Sequence, residues 1–343
     1  MKTNTIGKSL LTSVLTVILL IGSNTQSKAV EIHGAENSPN VLMRWHRISL
    51  TFDGPATSET ADPNPYFNYR LDVIFKGPSG QNMTVPGFFA ADGDAGRTGA
   101  ESGNKWRTYF SPDEIGSWKW KVPFRQGKDV AISKDPKAGK SWKPLDGLSG
   151  TFKVVESNKT GRDFRNPGKG LILNRGHHYL TFASGKPFLK GGPGVPENML
   201  GYYGFDNTTS NNKRGPLYEN IPFEELYLHR FAGHTRDWQP GDPDWNRNDG
   251  SESTRRNAGR NYIGMLNFLG RQHGVSSLYI MMMSVKDDGD DTYPTIAHED
   301  KEHYDVSKLD QWEIVFTGAR LICCASMPHY IAPELLPTAF SEL

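Results

Sequence analysis

The sequence predicts an antiparallel β-sandwich of immunoglobulin-like kind, followed by a unit in which strands alternate with helices on a parallel sheet. Three observations lead to this reading. Short runs of period-two hydrophobicity fill residues 30–157. Glycine (36 residues) and proline (22) punctuate those runs at the expected turns. Beyond Gly185 the pattern changes to continuous apolar runs, long polar loops and helical spacing.

Met1 to Ala29 stands apart from the fold. Lys2 and Lys8 precede an apolar run from Leu10 to Ile21, and Ser27-Lys28-Ala29 closes it, the layout of a secretory signal. The run is short for a membrane span, although an uncleaved N-terminal anchor is the alternative. The expected location is therefore secreted or periplasmic, with no membrane association after cleavage.

In the sandwich, Ile48, Leu50 and Phe52 alternate with Ser49 and Thr51, and Tyr69, Leu71, Val73 and Phe75 alternate with Arg70 and Asp72 before the Gly77-Pro78-Ser79-Gly80 turn. Met83 to Phe89 is a third run, and Asp92 to Gly96 reads as a mobile loop. Trp106, Thr108 and Phe110 share one strand face, Trp118, Trp120, Val122 and Phe124 another, and Gly150 to Val154 closes the set. The tryptophans could stack on a sugar. Their place on the apolar faces favours core packing.

Asn158 to Gly176 is the linker, and Leu171–Leu173 with Tyr179–Phe182 forms a small hairpin around an exposed His177-His178 pair. Pro187 to Lys190 is a short strand that enters a Gly- and Pro-rich loop. Ala258 to His273 is a helix stopped by Gly274. Ser277 to Val285 is a strand buried on both faces. A second helix begins near Ser307, capped by Asp305 or Ser307. In a parallel α/β unit the loops after the strands share one rim, which would hold Glu197, Asn198, Asp237, Trp238, Trp245, Asp290 and Asp291. Carboxyl, amide and indole groups together suit a polyhydroxylated ligand as substrate-binding residues. Turn capping is the competing role for the carboxylates.

Composition narrows the partners. In 343 residues, Lys plus Arg (39) balances Asp plus Glu (38) for a net charge of +1, so no global field favours nucleic acid. The two cysteines, Cys323 and Cys324, are adjacent and cannot staple distant segments. No metal is expected: they lack a second pair, and Asp287 to Asp291 lacks calcium-loop spacing. Gly191-Gly192-Pro193-Gly194 lacks the lysine and helix of a phosphate loop. No cofactor is expected. Asn82, Asn158 and Asn207 head glycosylation sequons.

Several blocks carry a family likeness. Asn64-Pro65-Tyr66, Val85-Pro86-Gly87-Phe88-Phe89, Trp106-Arg107 and Gly116-Ser117-Trp118 resemble the DUF5060 domain, a module found in front of glycoside-hydrolase-like barrels. Lys186 to Gly192, His234 to Trp245, Gly289 to Pro294 and Leu309-Asp310-Gln311-Trp312 are similar to the start of the attached (β/α)8 barrel. The resemblance covers residues 30–316. It implies a sandwich at 30–157, a linker at 158–176 and the first βα units of an incomplete TIM barrel at 177–316. It also implies a polysaccharide or oligosaccharide partner.

Residues 317–343 diverge from that pattern, and a truncation or frameshift is the expectation for them. The resemblance puts the two catalytic carboxyls of such hydrolases on the fourth and seventh barrel strands, so no catalytic residue is assigned in this chain. Hydrolysis of an O-glycosyl bond is thus implied for the full-length family. The alternative is a non-catalytic carbohydrate-binding or domain-packing module.

Overall fold

The computed structural model describes residues 30–34, 41–176, 178–193, 199–209, 228–245, 257–283 and 292–321. The chain is mostly β-sheet with few helices, as expected. Its first part is built from two sheets that share one core. One sheet runs in the order β1 (Val30–His33), β3 (Ile48–Ser58), β7 (Ser102–Phe110), β6 (Phe88–Phe89). The other runs β10 (Lys140–Ser141), β9 (Phe124–Gln126), β4 (Tyr69–Lys76), β8 (Gly116–Lys121), β11 (Ser149–Val155), β2 (Leu42–Met43), with β5 (Asn82–Pro86) on the free side of β4. All pairings are antiparallel except that of β11 with β2.

The period-two pattern explains which faces meet. Phe75 of β4 stacks on Phe110 of β7 at 4.1 Å between ring centres, and Phe110 meets Trp118 of β8 edge-on at 5.0 Å. Trp106, Trp118 and Trp120 are 2%, 0% and 6% exposed, which places all three in the core. Two of their indole N–H groups are satisfied by backbone, Trp106 on the Pro55 carbonyl and Trp118 on that of Glu114. The third expected run, Met83 to Phe89, is divided between the sheets. Gly87 is the crossing point, because a Cβ there would run into the Leu71 side chain and the Arg107 carbonyl.

A second core gathers Leu200, Tyr202, Phe205, Trp245, Tyr262, Leu266 and Trp312. Two helices frame it. The first, α3 (Ala258–Asn267), continues through a π-helical turn to Gln272 and stops where Gly274 takes a left-handed φ of +66°. The second, α4 (Val306–Leu321), is capped by Asp305, whose Oδ1 accepts the Lys308 N–H at 2.8 Å. The short hairpin β12 (Ile172–Leu173) and β13 (Thr181–Phe182) also forms as expected.

Two readings need correction. Residues 92–96 do not form a free loop: they lead into a short helix, α2 (Ala95–Thr98), the second after α1 (Pro65–Asn68), and α2 lies against α4. The parallel strands expected at 187–190 and 277–285 do not ladder among the described residues. The two runs do lie side by side, but Ser276 and Ser277 both donate to the single Gly191 carbonyl. Ser276 Oγ also takes the Gly191 N–H and donates to Leu189, so a side chain competes for the ladder's groups. Pro187 and Pro193 supply no donor. Tyr279, expected inside, is 44% exposed. No helix among the described residues is long and apolar enough to cross a membrane.

The crossing at Gly87 gives a direct test. Replacing Gly87 with Val should destabilise the fold by about 1–3 kcal/mol through overpacking against Leu71. A thermal melt of that variant should show a clear fall in Tm, and an unchanged Tm would contradict the crossing geometry.

Candidate functional site

Glu197, Asn198, Asp290 and Asp291 lie outside the described residues. The remaining three of the proposed ligand-binding set are close in the chain, but each is already engaged. Asp237 Oδ2 is 2.9 Å from His234 Nδ1, and its Oδ1 accepts the Gln272 amide at 2.8 Å. Those bonds, that of His234 foremost, hold its carboxyl below the usual range. Trp238 donates to the Pro243 carbonyl and carries the Arg260 guanidinium 4.4 Å above its ring. Trp245 is 3% exposed, stacks on Phe205 and donates to the Gly204 carbonyl. Its indole face is core and is closed to a sugar.

A buried polar cluster sits at the junction between the two-sheet unit and α4. Glu59, which follows β3, is 4% exposed, and its Oε2 accepts the Val306 N–H at 2.9 Å. Two residues along the helix Lys308 is wholly buried. It donates to the Asn207, Tyr293 and Thr295 carbonyls and lies 4.0 Å over the Tyr293 ring. Asp305 Oδ2 stands 3.9 Å from the same ammonium and accepts the Asn207 amide. Tyr66 and Tyr304 close the cluster edge-to-face at 4.9 Å.

Beside it, Asp310 and Gln311 grip α2. Asp310 Oδ2 accepts the Gly96 N–H at 2.9 Å, and Gln311 donates to the Gly96 carbonyl at 3.1 Å. A Cβ on Gly96 would stand 3.1 Å from the Gln311 nitrogen, so glycine permits the approach. Arg107 reaches from β7 to within 3.5 Å of Asp310 and also holds Thr51, Tyr109 and the Gly93 carbonyl. Arg47 pairs with Glu313 one turn on.

Burial sets the electrostatics of this junction. The Glu59 carboxyl is pushed up from 4.5 to about 7, chiefly by desolvation, with Asp305 and Glu101 adding to the rise. Lys308 is pulled down from 10.5 to about 8 by desolvation, with Asp305, Asp206 and Glu59 opposing. A carboxyl that titrates near neutrality has the character of a general acid. Here it is enclosed and already holds a backbone N–H, so the cluster acts as a clasp between units. The sequence pattern gave no sign of Glu59 or Lys308, and Arg107 entered only within the Trp106-Arg107 likeness, because the three converge only when the fold brings their elements together. Among the described residues no group of three or more His, Cys, Asp or Glu side chains could hold a metal ion. An open groove of about 410 Å3 lies elsewhere, at Asp62, Pro63, Asn68 and Gln126 to Asp129.

Residues 41–125 match the family model described as "Domain of unknown function (DUF5060)". No curated protein matches the chain. Among solved structures, the chain is similar to one described as "a putative glycoside hydrolase from Bacteroides vulgatus ATCC 8482", with 14% identity and a TM-score of 0.45. The alignment covers 82% of this chain and 39% of that one, so this chain spans well under half of its length.

The clasp predicts a pH dependence with a definite sign. Glu59 binds its proton more tightly folded than unfolded, so its contribution is whole below about 4.5 and is lost as pH climbs to about 7. Lys308 works the other way: it opposes folding below about 8, and that handicap fades as pH rises toward 10.5. Between pH 5 and 7.5 the protein should therefore lose on the order of 1–3 kcal/mol from this cluster. Glu59→Gln, whose amide oxygen still accepts the Val306 N–H, should flatten the slope in urea titrations. The same slope in wild type and variant would contradict the assignment.

Proposed function

We propose that this chain is part of a secreted or periplasmic, glycoside-hydrolase-like carbohydrate-active protein, in which an immunoglobulin-like sandwich is clamped to the start of a (β/α)8 barrel. The observation that carries the reading is the clasp itself. The β unit that matches DUF5060 grips the first turns of α4 through Glu59, Gly96 and Arg107. A tethered binding module on a flexible linker would have no reason to bury charged groups in a shared interface. The resemblance of residues 30–316 to DUF5060-fronted barrels supports a polysaccharide or oligosaccharide partner.

Within this reading the two-sheet unit is first a packing module. Trp106, Trp118 and Trp120 are committed to the core, so a glycan that the unit meets is met by other residues. Hydrolysis of an O-glycosyl bond belongs to a complete barrel, with its carboxyl pair on the fourth and seventh strands. In this reading the described residues supply scaffold and the part of the rim where the Asp237 and Trp238 loop meets α3.

Affinity gels loaded with a panel of polysaccharides, run beside reducing-sugar assays, test the reading. Retardation by a glycan without release of reducing sugar is the expected outcome. Turnover that disappears when a carboxylate of this chain is replaced would contradict the placement of the acid pair. Failure of every glycan to retard the protein would contradict the carbohydrate reading.

A further inference from the structure

The outer face of the β5–β4–β8–β11 sheet carries an unbalanced positive charge. Register places two cross-strand rows on it: Asn82–Lys76–Lys119–Thr151 and Thr84–Ile74–Lys121–Ser149. Lys153, opposite Ser117, extends the charge along β11. All four lysines are exposed, and Lys76 sits directly across from Lys119. Like charges directly opposite on a sheet are destabilising, so the Lys76–Lys119 pair works against the stability of the sheet. Asp72, the acid on this face of β4, lies 3.6 Å from Arg70. With a net charge of only +1 over the whole chain, this is a local excess and not a general one.

The residues between the lysines give the face its second property. Ser117, Ser149, Thr151, Thr84 and Asn82 are exposed hydroxyl and amide groups, and half-buried Ile74 is the one apolar side chain in the two rows. A row of four strands spans about 14 Å at ordinary strand spacing. That is room for several consecutive sugars. A lipid surface would call for exposed apolar side chains among the cations, which these rows lack.

We propose that this sheet face binds a uronic-acid polysaccharide, with Lys76, Lys119, Lys121 and Lys153 meeting its carboxylates and the Ser, Thr and Asn side chains its hydroxyls. The proposal rests on the carbohydrate-active reading above and adds the chemical class of the glycan. It gives the β unit a second task on the face turned away from its core.

The test uses the whole chain in affinity gels containing polygalacturonate, neutral galactan or polyglutamate, and in sedimentation with phosphatidylserine vesicles. Polygalacturonate should retard the wild type, with retardation falling as salt rises. The Lys76→Gln/Lys119→Gln/Lys121→Gln variant should bind it about tenfold more weakly, while any retardation by galactan stays unchanged. If the triple variant does not fold, Lys121→Gln alone should give a weaker loss in the same direction. Equal retardation of wild type and folded variant overturns the proposal, as does polyglutamate binding as strong as polygalacturonate binding. Vesicle binding without polygalacturonate binding overturns it in favour of a membrane. Retardation by galactan but not by polygalacturonate overturns it and leaves the carbohydrate reading standing, whereas no retardation by any glycan removes both.

Discussion

The arrangement of the chain depends on one buried contact: the Asp310 carboxylate at the start of α4, shared between the Gly96 N–H and the Arg107 guanidinium. Burial raises the pKa of Asp310 and Arg107 acts against that rise, so the carboxylate needs its partners to remain charged. Because Gly96 has no side chain, α2 can lie against the helix backbone. Gln311 then ties the Gly96 carbonyl to the Asp206 N–H, which carries the contact into the second core. Glu59 and Lys308 extend the same seam toward Asn207 and Tyr293.

Much of the fold could be read from residue order. The alternation at Ile48–Leu50–Phe52 and Tyr69–Phe75 gave strands and faces together, since a half-buried strand has no other way to sort its side chains. The end of α3 at Gly274 and the cap at Asp305 were legible because both depend on local backbone chemistry. The division of residues 83–89 between two sheets was not legible, since it turns on how close Leu71 comes to Gly87 in space. The absence of a ladder, among the described residues, between the runs expected at 187–190 and 277–285 was hidden for a related reason. Apolar runs announce burial, but a single serine hydroxyl, that of Ser276, decides where the backbone groups bond.

The site was less legible than the fold. Asp237, Trp238 and Trp245 looked like ligand-facing residues because carboxylates and indoles in a long polar loop fit a sugar. The same chemistry fits loop anchoring, and here the His234 ring, the Pro243 carbonyl and the Phe205 ring claim them. Glu59 and Lys308 give no sequence signal at all, because a buried charge is recognised only by what surrounds it. The lysine face has the opposite character: its residues were visible, but their convergence depends on strand register.

A double-mutant cycle on Arg107→Ala and Asp310→Ala, read as unfolding free energies in urea, tests the central contact most directly. The account predicts a coupling of about 1–3 kcal/mol, because removing either partner leaves the other buried without its counter-charge. Additive effects, with a coupling below about 0.3 kcal/mol, would show that the two units are not joined through this pair.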